Sequence, residues 1–273
     1  MKPEETIKND KKQTKRHQLL SEERKQLIID KLDEYGIVRV SDLSAQMNTT
    51  EATIRRDLDD LQAKGMAIRV HGGAKSVNST GKKMTLQENL SKCEEEREKI
   101  AQIAYRFLEE RDCIVLDTSA TVQSLARLLL RRPIKDLTII TPSFDILHEL
   151  AQETSYTLIF VGGKYNWRLN STAGILAQNV LENIHVDKAF IGSPGVDAVY
   201  GFSGPYEEET QVKMRFVSNS NHQFILADHT KFFRTYLYRF AAPKDIEYVI
   251  TDRKPDWNIL ETFEAKGVSV VYE

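Results

Sequence analysis

Residues Thr50 to Ala74 read TEATIRRDLDDLQAKGMAIRVHGGA. Ile54, Leu58 and Leu61 recur at i, i+4 and i+7, the spacing of one buried helical face, and Thr50 stands where an N-cap hydroxyl takes a backbone amide of the first turn. After Gly65 the period changes to two. Met66-Ala67-Ile68-Arg69-Val70-His71 alternates as a strand does, and Gly72-Gly73 supplies a turn. At about 100° per residue, Arg56 falls nearly opposite the apolar stripe, beside Ala52 and flanked by Thr53 and Arg55. The stretch therefore predicts a helix with a basic, hydroxyl-bearing outer face, followed by a basic hairpin.

Upstream, SEERKQLIIDKLDEYG places Leu27, Ile28 and Leu32 at helical spacing, with Ser21 as N-cap and Gly36 as the stop. Val40 to Met47 makes a short second helix with Ser41 as its N-cap, and Asn48-Thr49 is the turn. Three helices and a two-stranded hairpin form a winged helix-turn-helix, whose recognition helix enters the major groove of DNA. Arg56, with Thr53, suits base edges, because a guanidinium bonds guanine O6 and N7 bidentately. Thr50, Arg55, Arg69, His71 and Lys75 suit phosphate or wing contacts, which position without specifying. Asp59 and Asp60 would repel phosphates, so the N-terminal half of the helix is the part expected in the groove.

Composition sets wider bounds. The chain has 273 residues, 41% hydrophobic and 29% charged, enough for two globular domains, with a net charge of -2. Residues 1–80 carry 15 basic and 13 acidic side chains, against 23 and 27 in the rest. That asymmetry is small, so the case for DNA rests on where the basic groups point. The N-terminus lacks the apolar middle of a signal peptide and no apolar run reaches membrane-spanning length, which predicts a cytoplasmic protein with no membrane partner. Cys93 and Cys113 read as reduced thiols. The six histidines show no metal-ligand spacing, His229 beside Asp228 reads as structural or as a pocket edge, and neither metal, cofactor nor catalytic triad is expected.

Residues 1–20, with Lys8, Lys11, Lys12, Lys15 and Arg16, read as a basic disordered arm; residues 21–76 as the DNA-binding domain; and 77–85, polar and breaker-rich, as a linker. From 86 to 273 short apolar strands (CIVLD, LTIIT, TLIFVGG, KAFIG, HQFILAD, EYVIT, VSVVY) alternate with helices at about 94–110, through Arg131, after Ser143, after Gly174, at Glu207–Val217 and near 257–265. This is the pattern of an α/β domain with a doubly wound, mainly parallel sheet. Ligands of such sheets sit at the carboxyl ends of strands. There the sequence puts Asp117-Thr118-Ser119-Ala120-Thr121 before a helix, a natural anion site, then Thr141 and Ser143, Gly162-Gly163, Gly192 and Asp228. Asp197, Glu207 and Glu208 with Arg168, Lys213 and Lys231 complete a polar set suited to a phosphorylated polyol: cations and amides for phosphate, carboxylates for hydroxyls.

The string TIRRDLDDLQAKGMAIRVHGGA, with ERKQLIIDKLDEYG before it, resembles the DNA-binding domain of DeoR-type bacterial transcriptional regulators. DTSATV, IITPS, FVGG, DKAFIGSPGVDA, GFSGPYEEETQVK and LADHTKFF resemble the sensor domain of the same regulators, whose sheet is similar to that of ribose-5-phosphate isomerase. The resemblance spans Ser21 to the C-terminus. It implies a ligand-responsive regulator, expected as a homo-oligomeric repressor of a carbohydrate or polyol operon that binds duplex operator DNA and answers to a sugar phosphate. This chain departs from the family where Asp-x-Gly-Thr-Thr-Thr is usual: it has Asp117-Thr118-Ser119-Ala120-Thr121-Val122. It also has Pro142 for Asn, Ser193-Pro194 for Ala-Asp, Gly204 for Thr and Phe233 for Gly. Two other readings use the same residues. One is a phosphosugar isomerase with an appended DNA-binding domain, in which Asp117 or Glu208 abstracts a proton and Lys231 steadies an enediolate. The other is a regulator whose sensor answers to a protein partner.

Overall fold

The computed structural model describes residues 21–35, 37–70, 72–76 and 93–273. The arm at 1–20, Gly36, His71 and the linker at 77–85 lie outside them. The chain divides into two compact units, Met1–Val77 and Asn78–Glu273.

In the first unit, α1 (Ser21–Tyr35), α2 (Val40–Gln46) and α3 (Glu51–Ala63) surround one apolar core of Ile28, Leu32, Leu43, Ile54, Leu58 and Leu61. Strand β1 (Ile37–Arg39) joins the predicted hairpin β2 (Ala67–Val70) and β3 (Gly73–Ser76), so the wing sheet has three strands in the order β1-β3-β2, not two. Gly73 is required by that third strand, because a Cβ there would sit 2.0 Å from the Val38 carbonyl oxygen. The cap of α2 also differs from expectation. Arg39 is its N-cap and Ser41 lies inside the helix, because the chain turns into α2 directly from β1. Ser21 likewise already belongs to α1.

α3 is tied to its surroundings by ion pairs. Asp57 is buried and accepts both Nε and Nη2 of Arg24, at 2.5 and 3.0 Å; Asp60 accepts Lys25 at 2.7 Å. Arg24 and Lys25 both lie on α1, so the two pairs fasten α3 to that helix.

The second unit is built on a seven-stranded parallel sheet in the order β15-β14-β12-β9-β4-β5-β6. Its strands are β4 (Cys113–Leu116), β5 (Thr138–Thr141), β6 (Thr157–Phe160), β9 (Val186–Gly192), β12 (Ser220–Leu226), β14 (Tyr248–Ile250) and β15 (Ser269–Val271). Side chains alternate between two cores. Ile114, Leu116, Ile139, Phe190, Phe224 and Ile250 join the face covered by α4 (Glu94–Tyr105), α5 (Ala120–Arg131) and α6 (Phe144–Leu150). Val115, Ile140, Ala189, Ile191, Ile225 and Val249 join the face covered by α7 (Ile175–Leu181), α8 (Glu207–Ser218) and α9 (Trp257–Glu264). Burial on both faces is why the inner strands read as continuous apolar runs. Phe190, Phe224 and Tyr248 are register partners on β9, β12 and β14, and their rings stack at 4.8 Å across the sheet.

Two antiparallel additions were not foreseen. β7 (Lys164–Asn166) and β8 (Ser171–Ala173) form a hairpin. β10 (Gly195–Asp197), β11 (Gly201–Gly204) and β13 (Tyr238–Ala241) form a second small sheet. These strands are only three or four residues long, too short for an apolar period to announce them. The helix expected to 110 ends at Tyr105, where the backbone turns towards β4.

Candidate DNA-binding and effector-binding sites

α3 begins as its sequence predicts: Thr50 is the N-cap and its Oγ1 accepts the Thr53 amide at 3.2 Å. The two hydroxyls also touch, at 2.9 Å. Arg55 is exposed and pairs with Glu51 one turn back, at 2.5 Å. Arg56 is exposed and makes no hydrogen bond or ion pair among the described residues, so its guanidinium keeps its full donor set for a ligand. Arg69 has a different environment. Its Nε donates to Asp59 at 2.9 Å, its Nη1 to the Gly73 carbonyl at 2.6 Å, and its amide to Gln62 at 2.7 Å. It clamps the wing onto α3. Asp59 and Asp60 are thus committed to Arg69 and Lys25, which accounts for acidic residues on a helix with a basic leading end. Lys75 is half-buried on β3, and His71 lies outside the described residues.

In the second unit, β4 and β9 are neighbours, and there the order of strand addition reverses: β5 and β6 lie on one side of β4, β9 and the later strands on the other. Ligands of open α/β sheets bind at the carboxyl ends of the strands at such a switch. Asp117, directly after β4, is buried there. Its Oδ1 accepts the Ser119 amide at 2.9 Å; its Oδ2 accepts the Gly192 amide at 3.0 Å and the Lys213 ammonium at 2.5 Å. Lys213, reaching in from α8, also donates to the Gly192 carbonyl at 2.7 Å and lies 3.2 Å from Glu209. Burial alone would pull the Lys213 ammonium down, but the carboxylates of Asp117 and Glu209 outweigh it and hold it above its ordinary value. Glu209 is pushed up by burial and by Asp117, with Lys213 opposing. Two carboxylates therefore share one ammonium. Glu209 was missed in the sequence, although its i, i+4 spacing to Lys213 was visible.

Ser119 caps α5, its Oγ accepting the Val122 amide at 3.2 Å. The amides of Ala120 and Thr121, next in the turn, have no hydrogen-bond partner among the described residues. Ser119 also occupies the space above Gly192: a Cβ on that glycine would lie 2.1 Å from Ser119 Oγ. Gly192 and Ser119 therefore fit each other. Thr118 and Thr121 are buried beside them.

The remaining expected residues have other partners. Thr141 Oγ1 accepts the Ser143 amide, and Ser143 caps α6. Gly163 approaches β8 closely, since a Cβ would lie 2.7 Å from the Ala173 carbonyl oxygen; Gly162 has open space around it. Glu208 pairs with Lys164 at 2.9 Å and Glu207 is exposed. Asp197 accepts the amides of Val199 and Tyr200 in its own turn. Arg168 is exposed, with its guanidinium 4.5 Å from the Trp167 ring centre. Lys231 sits 3.7 Å from Asp228, after β12. The structure thus gathers Asp117, Ser119, Gly192 and Lys213 into one hydrogen-bonded set; Asp197, Arg168, Glu208 and Lys231 are not bonded to it. Cys93 and Cys113 are free, and burial, reinforced by Asp228 and Glu96, pushes the Cys93 thiol up to about 11. Among the described residues no helix is long and apolar enough to cross a membrane.

A winged helix-turn-helix joined to a parallel α/β unit with a polar switch point defines a class of ligand-responsive transcriptional regulators. Residues 24–80 match the DeoR-like helix-turn-helix domain and residues 92–253 the DeoR C terminal sensor domain. The chain belongs to the DeoR family and is a DNA-binding transcriptional regulator. It is 32% identical over 235 residues to the uncharacterized HTH-type transcriptional regulator FruR of Bacillus subtilis, covering 86% of this chain and 92% of that one. It is 29% identical over 253 residues to the HTH-type transcriptional repressor GlcR of the same organism, covering 93% and 96%. Among solved structures, a D-ribose-5-phosphate isomerase in complex with phospho-erythronic acid aligns with 18% identity and a TM-score of 0.38, over 51% of this chain and 54% of that one. At that level the likeness carries no argument about chemistry.

Proposed function

We propose that this protein is a repressor of a carbohydrate or polyol operon that binds duplex operator DNA through α3 and the wing, and whose sensor takes a small phosphorylated sugar. The observation that carries the reading is the switch point itself. The unpaired amides of Ala120 and Thr121 open a helix N-terminus beside Thr118 and Thr121, a setting that favours a phosphate. Arg56 is the base-reading residue of this reading, with Thr53 beside it; Thr50, Arg55, His71 and Lys75 serve phosphates, and Arg69 contributes by holding the wing. Two heads on repeated half-sites require a homo-oligomer. A coupling of about 1–3 kcal/mol between effector and DNA changes operator affinity about 5–150-fold.

Binding without turnover is favoured because Lys213, the buried cation of the site, is already committed to Asp117, Glu209 and the Gly192 carbonyl. The test is operator binding by the full chain at fixed salt, with and without a panel of sugar and polyol phosphates. Release by one compound, without its isomerisation, supports the reading. Tight DNA binding that no compound alters rejects the phosphosugar effector and turns the search to a protein partner, a reading the Ser119-filled approach to Gly192 favours.

A further inference from the structure

Glu96, His229 and Asp252 come from three distant parts of the second unit. Glu96 lies in the first turn of α4, His229 opens the 3-10 turn after β12, and Asp252 follows β14. One donor atom from each lies within 4.8 Å of the other two. Asp252 is buried, while Glu96 and His229 are half-buried, so the cluster has a fixed floor and an approach. The His229 amide donates to Asp252 Oδ1 at 2.6 Å, which locks the carboxylate to the turn. His229 Nδ1 lies 2.9 Å from Asp252 Oδ2. Two ligands at about 2.0–2.1 Å from a tetrahedral ion are separated by about 3.3 Å, so this pair is within a few tenths of an ångström of one edge of a coordination sphere. Glu96 makes no hydrogen bond or ion pair among the described residues. The neighbouring Lys231 ammonium is turned to Asp228, at 3.7 Å.

We propose that Glu96, His229 and Asp252 form a binding site for one divalent first-row transition cation, with zinc the best match. An imidazole with two carboxylates suits zinc or its borderline neighbours, whereas calcium and magnesium prefer all-oxygen sets. Coordination replaces the Nδ1 to Oδ2 hydrogen bond by two bonds to the ion and requires the Glu96 carboxylate, within 4.8 Å of the other two donors, to swing inward. Three protein ligands leave a position for water or a small anion. The ion would cross-link α4, the first described helix after the linker, to the carboxyl ends of β12 and β14. It shares no residue with the Asp117 and Lys213 set, and neither the proposed effector nor the DNA reading depends on it.

The test uses the full chain, stripped with a chelator and titrated with Zn2+ by calorimetry and with Co2+ by visible absorption. One equivalent per chain is expected, with a d–d spectrum for cobalt. Glu96→Gln and His229→Gln should each weaken zinc binding at least about tenfold, while His222→Gln, on the exposed pair with Glu247, should not. Circular dichroism verifies that each variant is folded. Absent stoichiometric binding by the unaltered chain, or equal affinity in the folded Glu96→Gln protein, overturns the assignment.

Discussion

Lys213 Nζ lies 2.5 Å from Asp117 Oδ2, with both side chains almost wholly buried and a sequence separation of 96 between them. The pair joins α8 to the end of β4, and through Gly192 it joins both to β9. It is therefore a brace for the switch point and a constraint on what binds there. Lys213→Met leaves Asp117 and Glu209 without their cation, and a loss of about 3–5 kcal/mol of sensor stability is expected. A urea titration followed by circular dichroism, to which the larger sensor unit contributes most, measures it. An unchanged midpoint would mean that the pair contributes nothing.

The pH dependence of this cluster follows from its charge imbalance. Glu209 is raised above 4.5 by burial and Asp117, so its protonation favours the folded state: that contribution is fully present below 4.5 and is lost as pH rises through the folded value. Glu209→Gln is therefore expected to raise the unfolding midpoint near neutral pH, with the gain vanishing below 4.5. Lys213 is raised above 10.5, so its contribution holds below that value and is lost at still higher pH. A Glu209→Gln protein less stable than the parent at neutral pH would contradict the first expectation.

Ser119 and Gly192 should behave as a coupled pair. Gly192→Ala places a methyl group 2.1 Å from Ser119 Oγ, an overpacking expected to cost about 1–3 kcal/mol. Adding Ser119→Gly removes the obstructing side chain and should restore part of that loss. A double-mutant cycle in urea measures it. Simple additivity of the two changes would show that the contact carries no energy.

On the DNA side, Arg56→Ala should weaken specific operator binding by about 1–3 kcal/mol while leaving circular dichroism unchanged, because the side chain is exposed. Arg69→Ala should instead loosen the wing, through the lost bonds to Asp59 and Gly73, and lower the stability of the first unit. Anisotropy titrations with operator and scrambled duplexes distinguish the two. Equal affinity of parent and Arg56→Ala for the operator would remove Arg56 from the base-reading role.

Much of this was legible in the chain. The stripe Ile54, Leu58 and Leu61, the cap at Thr50 and the alternation from Met66 are local features whose hydrogen bonds close within one turn or one hairpin, so residue order alone specifies them. The helix-strand alternation after residue 86 specified a parallel α/β sheet for the same reason. The short strands β7, β8, β10 and β11 were not legible, because segments of three or four residues without an apolar period acquire strand geometry only from partners elsewhere. The basic charge of Arg69 was plain, but not its Asp59 partner, which lies ten residues back on another element.

What the sequence determined by itself was the class of protein, two domains with an exposed arginine on a recognition helix, because periodicity and capping are properties of neighbouring residues. Only the tertiary structure decided which ionisable groups share a site. Asp117 with Lys213 and Glu209, and His229 with Asp252 and Glu96, meet because the strand order brings β4 beside β9 and β12 beside β14. That order is set by which apolar faces the helices cover, a non-local packing choice that no spacing along the chain records.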